Sequence, residues 1–223
     1  MRFLKVMVLA VVSVLLLSNT PVQALGLNFG VKAGLMMSNV DEVPDGWDSP
    51  ALDKAFRTGF VGGVFVNMPL AGGFSIQPEL LYAMKGARFE GDGGEVTAKF
   101  DYLMVPVLAK FELPLGGILK PCIFAGPSIS FNIGSDVEIG EEGGPSYTVD
   151  FSDAINNVDY GFVLGAGFGV GLGAGTLTFD LRYEMGLAKV IEGGEIKIDD
   201  YIEEVGEEDA TQYNIAFMAG FSF

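Results

Sequence analysis

The sequence predicts an all-β fold: an eight-stranded antiparallel up-and-down transmembrane β-barrel. Three observations predict it. First, apolar side chains recur at every second position in eight segments, most of them 10–14 residues long. Globular strands run nearer to about five or six residues, whereas a tilted strand needs about 9–11 to cross a bilayer. Second, the connections alternate between short uncharged turns and long stretches. Third, the long stretches hold 23 of the 29 acidic residues, with Lys54 and Lys197 as the only bases among them.

Composition narrows the class further. The 223 residues are 49% hydrophobic and 19% charged, too apolar for a disordered chain. One Cys cannot pair within the chain, so there is no disulfide framework. The absence of His removes imidazole bases and His-built zinc sites. Thirteen bases against 29 acids give a net charge of −16, which repels phosphate and argues against nucleic acid as a partner.

The elements follow in order. Met1–Ala24 opens with Arg2 and Lys5, continues as an apolar run from Val6 to Leu17, and ends in Val22-Gln23-Ala24. A basic start, a short apolar core and small residues at the last and third-last positions describe a cleaved signal peptide. The run is short of the roughly 20 residues of a spanning helix. Cleavage removes two bases and no acid, leaving residues 25–223 as the barrel domain, 199 residues with a charge of −18.

The first strand places Leu27, Phe29, Val31, Ala33 and Leu35 on one face, against Asn28, Gly30, Lys32 and Gly34. Phe56–Asn67 is a blurred second strand. In the third, Phe74, Ile76, Leu80, Tyr82 and Met84 oppose Ser75, Gln77, Glu79, Ala83 and Lys85. The fourth lies within Phe100–Leu113, with Leu103, Val105, Val107, Ala109, Phe111 and Leu113 together. The fifth opposes Ile123, Ala125, Ile129 and Phe131 to Cys122, Gly126, Ser128, Ser130 and Asn132. In the sixth, Tyr160, Phe162, Leu164, Ala166, Phe168 and Val170 oppose Asp159 and a file of glycines. Leu177 to Leu187 is the cleanest alternation, with Thr178, Asp180, Arg182 and Glu184 on the other face. Tyr213, Ile215, Phe217, Ala219, Phe221 and Phe223 form the last apolar row. Period two is a strand signature; a helix would give no clean stripe here.

Three connections are short and rich in Gly and Pro: Pro69–Gly73, Pro114–Gly117 and Gly173–Gly175. The others, about Asn39–Ala55, Glu90–Val96, Gly134–Asn157 and Glu192–Ala210, are longer or strongly acidic. Strict alternation puts the two kinds on opposite rims, as in outer-membrane barrels with short periplasmic turns and longer extracellular loops. The glycines then orient the wall. Gly161, Gly165, Gly167, Gly169 and Gly171 share the face opposite the bulky row. A soluble barrel would leave those aromatics in water, so the apolar face is expected to meet lipid. The lumen of eight strands is just wide enough for side chains. Small and polar residues are expected to fill it, with Lys32, Arg57, Glu79, Lys85, Asp180, Arg182 and Glu184 pairing their charges there. Cys122 is expected inside as a small filler.

At these residues the sequence resembles the porin-family outer-membrane β-barrel proteins of the PorT-like type. Asn28–Leu35 is similar to their first strand. Phe74-Ser75-Ile76-Gln77-Pro78-Glu79-Leu80-Leu81-Tyr82, followed by Lys85-Gly86, is close to their most recognisable motif. Tyr102–Pro106 resembles their Tyr-Leu-Glu-Ile-Pro segment, with Met104 where an acid is usual; Lys120-Pro121 and Phe124–Pro127 also fit. The resemblance covers the mature chain and implies the barrel and the outer membrane, with a role in protein secretion for one branch.

No catalytic or cofactor site is expected. Gly169-Val170-Gly171-Leu172-Gly173-Ala174 has a dinucleotide-type spacing, but it sits inside an alternating strand and ends in a turn, where the fingerprint needs a helix to follow. Asp180 and Glu184 stand about 13 Å apart by strand rise with Arg182 between them, which suits a charge network better than a catalytic pair. The acidic loops lack EF-hand spacing. Glu203-Glu204 and Glu207-Glu208 are the first places to look for a bound cation, but the expected role is a solvated repulsive rim. Trp47 suits a loop tip or a membrane-rim anchor. The function expected is a non-enzymatic, monomeric outer-membrane protein with structural, adhesive or interaction roles for its extracellular loops. A narrow channel for small solutes and a component of a secretion system are the rivals, with a lipid-modifying enzyme further behind. Its expected partners are outer-membrane lipid and, during insertion, the barrel-assembly machinery.

Overall fold

A computed structural model describes residues 26–40, 52–91, 94–115, 117–141, 146–150, 157–188, 194–198, 201–205 and 211–223. Met1–Ala24, Trp47 and Glu207-Glu208 lie outside these residues. Twelve strands are described: β1 (Asn28–Val40), β2 (Leu52–Ala55), β3 (Arg57–Pro69), β4 (Phe74–Gly91), β5 (Gly94–Glu112), β6 (Leu119–Glu141), β7 (Ser146–Asp150), β8 (Val158–Gly171), β9 (Thr176–Gly186), β10 (Gly194–Ile198), β11 (Tyr201–Val205) and β12 (Gln212–Ser222). Among the described residues no helix is long and apolar enough to cross a membrane.

Eight strands form the wall in the order β1-β3-β4-β5-β6-β8-β9-β12. Each pairs antiparallel with its neighbours, and β12 returns to β1 through Gly30↔Ser222 to Val40↔Gln212, closing the sheet. Closure leaves no wall edge unpaired, which hydrocarbon requires because it offers backbone groups no other partner. The stagger follows from the register. From Leu81 one path runs through Met104 and Ser130 to Asp159. The other runs through Gly63, Lys32, Gly220 and Thr178 to Gly169. The two arrive on β8 ten residues apart (169 − 159), so eight strands close with a stagger of ten and must tilt.

The seven strand faces assigned from the sequence are found with the predicted parity, and β3, whose alternation is blurred in the sequence, turns Arg57, Val61 and Phe65 inward. Leu164 is 58% and Phe217 53% exposed, whereas Val163 and Met218, the neighbour of each, are 0% and 4%. Aromatic side chains form two belts on the outer surface. Phe56, Tyr183 and Tyr213 cluster near one rim, with ring centroids 5.9 and 6.5 Å apart. The pairs Phe74–Phe111, Phe168–Phe179 and Phe221–Phe223 lie near the other, at 4.6, 5.0 and 5.2 Å. Such girdles flank the apolar band of a barrel that spans a membrane.

Three tight turns occupy one rim. Between β3 and β4, the Leu70 amide donates to the Phe74 carbonyl at 2.8 Å, with Gly72 and Gly73 at φ 66° and 86°. These left-handed angles are open to glycine without steric cost. Between β8 and β9, the Leu172 amide donates to Gly175 at 2.8 Å.

The other rim departs from the sequence reading. β4, β5 and β6 are 18, 19 and 23 residues long, beyond the expected 10–14 and beyond what a crossing needs. Glu90–Val96 is therefore no long loop. β4 runs to Gly91 and β5 resumes at Gly94, paired up to Gly91↔Gly94. Gly134–Asn157 likewise begins as β6 and returns as β7, which pairs Ser146–Asp150 with Asp136–Gly140. β2 adds to the free side of β4 at Arg88–Gly91. Acidic, Gly-rich sequence reads as loop by turn chemistry, yet neighbouring strands hold it in a ladder. A register shift between Asp101 and Tyr102 marks the start of this extension. There β6 changes parity, from Asn132 half-buried to Ser135 and Val137 buried, as one extra residue in a bulge requires.

Gly86 sits where β4 enters the extension. Its φ of 147° favours glycine, and a Cβ there would strike the carbonyl oxygen of Ala98. Gly86→Val is expected to lower the urea midpoint of refolding in detergent, with a loss of about 1–3 kcal/mol from backbone strain and the clash together. Leu181→Arg, on the outward face near mid-height, is expected to cost about 2–4 kcal/mol when folding is measured into lipid vesicles.

Candidate functional site

The inward residues are layered once the ten-residue stagger is applied. The layer nearer the turn rim is a neutral ionic knot. Lys32 of β1 donates to Glu79 at 2.8 Å and to Asp180 at 2.7 Å. Arg182 donates to Glu79 at 2.8 Å and to Asp180 at 3.1 Å. Gln77 adds a third donor to Glu79 at 2.7 Å. All five side chains are buried, with Lys32 at 4% and Glu79 at 3%. Two cations and two carboxylates cancel, which is the condition for keeping ions out of water.

The layer nearer the extended rim is a second cluster. Lys85 donates to Glu184 at 3.1 Å and lies 3.8 Å from Asp159; Asn214 donates to Glu184 at 3.2 Å. Arg57 is buried but stands apart from the carboxylates of the first knot, donating to the Lys85 carbonyl oxygen. The seven charged residues singled out in the sequence thus form two groups at two heights. β4 and β9 are four strands apart in either direction, so Glu79–Arg182 and Lys85–Glu184 both tie opposite walls together across the axis.

Each of three cations also lies over an aromatic ring: Lys32 over Phe65 at 4.5 Å, Lys85 over Tyr102 at 5.0 Å, and Arg182 over Phe124 at 5.3 Å. The glycines make this possible. A Cβ at Gly30 would strike the Phe65 ring, and one at Gly165 the Phe124 ring. Between the ionic layers, Met36, Val61, Leu81, Met104 and Ala216 pack together from five strands. Leu108, Cys122, Phe124 and Val163 form a second apolar group. This corrects the expectation that small and polar residues fill the lumen. The inside of an eight-stranded barrel is a packed core rather than a column of water, so large apolar side chains serve wherever a glycine faces them.

Sequence reasoning missed Asp159, Asn214 and Gln77 as members of the charge clusters, and Phe65, Phe124 and Tyr102 as their supports. Parity carried the signal for the polar three, all on inward positions. The rings gave none beyond the file of glycines.

The arrangement offers little chemistry beyond holding the wall. The carboxylate of Asp180 is engaged by Lys32 and Arg182, and that of Glu184 by Lys85 and Asn214, in separate layers. Gly169 and Gly171 end β8, and a turn to β9 follows rather than a helix. Among the described residues no three metal-type ligands come together. Glu203 and Glu204 lie on β11, paired with Ile196 and Glu195 of β10.

A closed, staggered sheet with an apolar outer band, aromatic belts and a charge-neutral packed interior defines an integral outer-membrane β-barrel protein. The chain belongs to the outer membrane protein beta-barrel domain family, matched over residues 18–192, and it resides in the cell outer membrane. No curated protein matches it. Among solved structures it is similar to Neisserial surface protein A, at 12% identity and TM-score 0.43, over 87% of this chain and 97% of that one. It is also similar to the attachment invasion locus protein of Yersinia pestis, at 14% and 0.40, over 88% and 98%. OprG from Pseudomonas aeruginosa matches at 11% and 0.46, over 88% and 95%.

Removing Glu79 leaves Lys32 and Arg182 short of a partner in a buried layer. Glu79→Gln is expected to cost about 3–5 kcal/mol in reversible urea unfolding from detergent. Combined with Arg182→Met it should cost less than the two single losses added, because the pair is coupled.

Proposed function

We propose that this is a non-enzymatic outer-membrane protein whose lumen is closed. Its acidic extracellular connections do the work, in a structural, adhesive or interaction role. The observation that carries this reading is the double tie between β4 and β9. Two charge-paired bridges and an apolar layer between them obstruct the axis, which turns attention from the lumen to the extended rim. β4, β5 and β6 carry that rim beyond the membrane, and β2 and β7 widen it. Acidic residues concentrate there, a surface suited to basic or cation-bridged partners rather than to anionic polymers. Lipid would surround a monomeric barrel, inserted with the help of the barrel-assembly machinery after Met1–Ala24 is removed.

Within the family, the PorT-like branch is supported by the Phe74–Tyr82 motif and by Lys85-Gly86, to which a buried cation and a positive φ give a physical reason. The rival reading, a narrow channel, is opposed by the same ties.

Purified protein in planar bilayers is expected to show no steady openings. Sustained nanosiemens-scale conductance would establish the channel instead. In intact cells, protease is expected to cleave within 142–157 and 189–210 while the wall strands stay protected. Cleavage only after the outer membrane is breached would reverse the orientation.

A further inference from the structure

The layer above the apolar girdle is polar nearly all the way round, and it is incompletely paired. Ser38 lies in register between Arg57 and Asn214, and Asp159 lies in register with Ser130. Gln212 shares the inward face of β12 with Asn214, both 1% exposed, and Ser38 is 0% exposed. Five atoms here are closed off from solvent with no hydrogen-bond partner: Ser38 Oγ, Asp159 Oδ1, Asn214 Oδ1, and both Oε1 and Nε2 of Gln212. The lower knot is better satisfied: both carboxylates there are engaged by Lys32 and Arg182, and its unpaired atoms are two, Gln77 Oε1 and Arg182 Nε. Unpaired buried polar atoms are costly, and native proteins supply them with water wherever they gather.

We propose that this layer is a hydrated vestibule, dead-ended at the girdle, which water and small polar solutes enter from the extracellular side without crossing. Lys85 is set against Glu184 and Asp159 and Arg57 against Asp101, so the layer has no spare cation to hold an anion and calls for a ligand that can both donate and accept. Four of the five unpaired atoms are oxygens, three of them carbonyl or carboxylate acceptors, and the amide nitrogen of Gln212 is a donor. Water, a hydroxyl compound or a small amide can serve both kinds. Below, Met36, Val61, Leu81, Met104 and Ala216 offer such a molecule no partner. The entry side rests on the orientation given under Proposed function.

The full chain supplies its own reference thiol, since Cys122 is buried below the girdle. Ser38→Cys and Gln212→Cys variants, each keeping Cys122, are treated in intact cells with 2-aminoethyl methanethiosulfonate. The introduced thiols are expected to react about tenfold faster than Cys122, since access governs the rate. If neither reacts in cells or in folded, detergent-solubilised protein, the vestibule is refuted. If Cys122 reacts as fast, the dead end is refuted. Reaction in detergent and in opened envelopes but not in intact cells leaves the vestibule standing and overturns the orientation instead. Should the variants not fold, ordered water within hydrogen-bond reach of Gln212 and Asn214 in a crystal of the unaltered chain supports the proposal. Dry, ordered side chains there would overturn it.

Discussion

A backbone that crosses hydrocarbon must find every hydrogen bond within the protein, and in this chain that requirement is met by closing a sheet on itself. The rest depends on the closure. Eight strands with a stagger of ten enclose an interior too narrow for a continuous column of water from rim to rim, so side chains must fill most of it. Alternation along each strand then sends one row into lipid and the next into a crowded axis. Composition follows: a chain that is 49% hydrophobic and has few charges still reserves Lys32, Glu79, Lys85, Asp180, Arg182 and Glu184 for the inside.

Those interior charges need not add net stability, since desolvation of a buried pair offsets much of its attraction. Their geometry suggests register as the benefit. Glu79 and Lys85 on β4 meet Arg182 and Glu184 on β9, halfway round the barrel. A slip of β9 by one residue would turn Arg182 and Glu184 toward lipid and leave Glu79 and Lys85 without these partners. The rings of Phe65, Phe124 and Tyr102 brace the cations from the side, in space that Gly30 and Gly165 leave open to the first two. Glycine file, aromatic ring and ion pair are therefore one packing solution.

Much of this was legible in the sequence. The Leu177–Leu187 alternation shows which face is which, and parity places six of the seven charged residues inside; Arg57 stands in the strand whose alternation is blurred. The partners were not legible, because they depend on the stagger, which sets which residues stand at the same height on opposite walls. Asp159 and Asn214 had the right parity but looked like ordinary polar positions near strand ends. Phe124 breaks the polar-inside rule and becomes intelligible only with Gly165 across from it. The extension of β4–β6 was hidden for another reason: Glu90 to Gly94 has the chemistry of a loop, while pairing with β2 on one side and β6 on the other keeps its flanks in a sheet.

Two sets of equally apolar side chains thus live in different surroundings, one in lipid and one in the packed axis. Methyl-resolved NMR of the barrel in lipid nanodiscs tests it most directly, through cross-relaxation with acyl-chain protons. Contacts to the acyl chains are expected from Leu35, Leu164 and Leu181, and none from Leu81, Leu108 or Met36. Acyl contacts from the second set, with the first set silent, would contradict it.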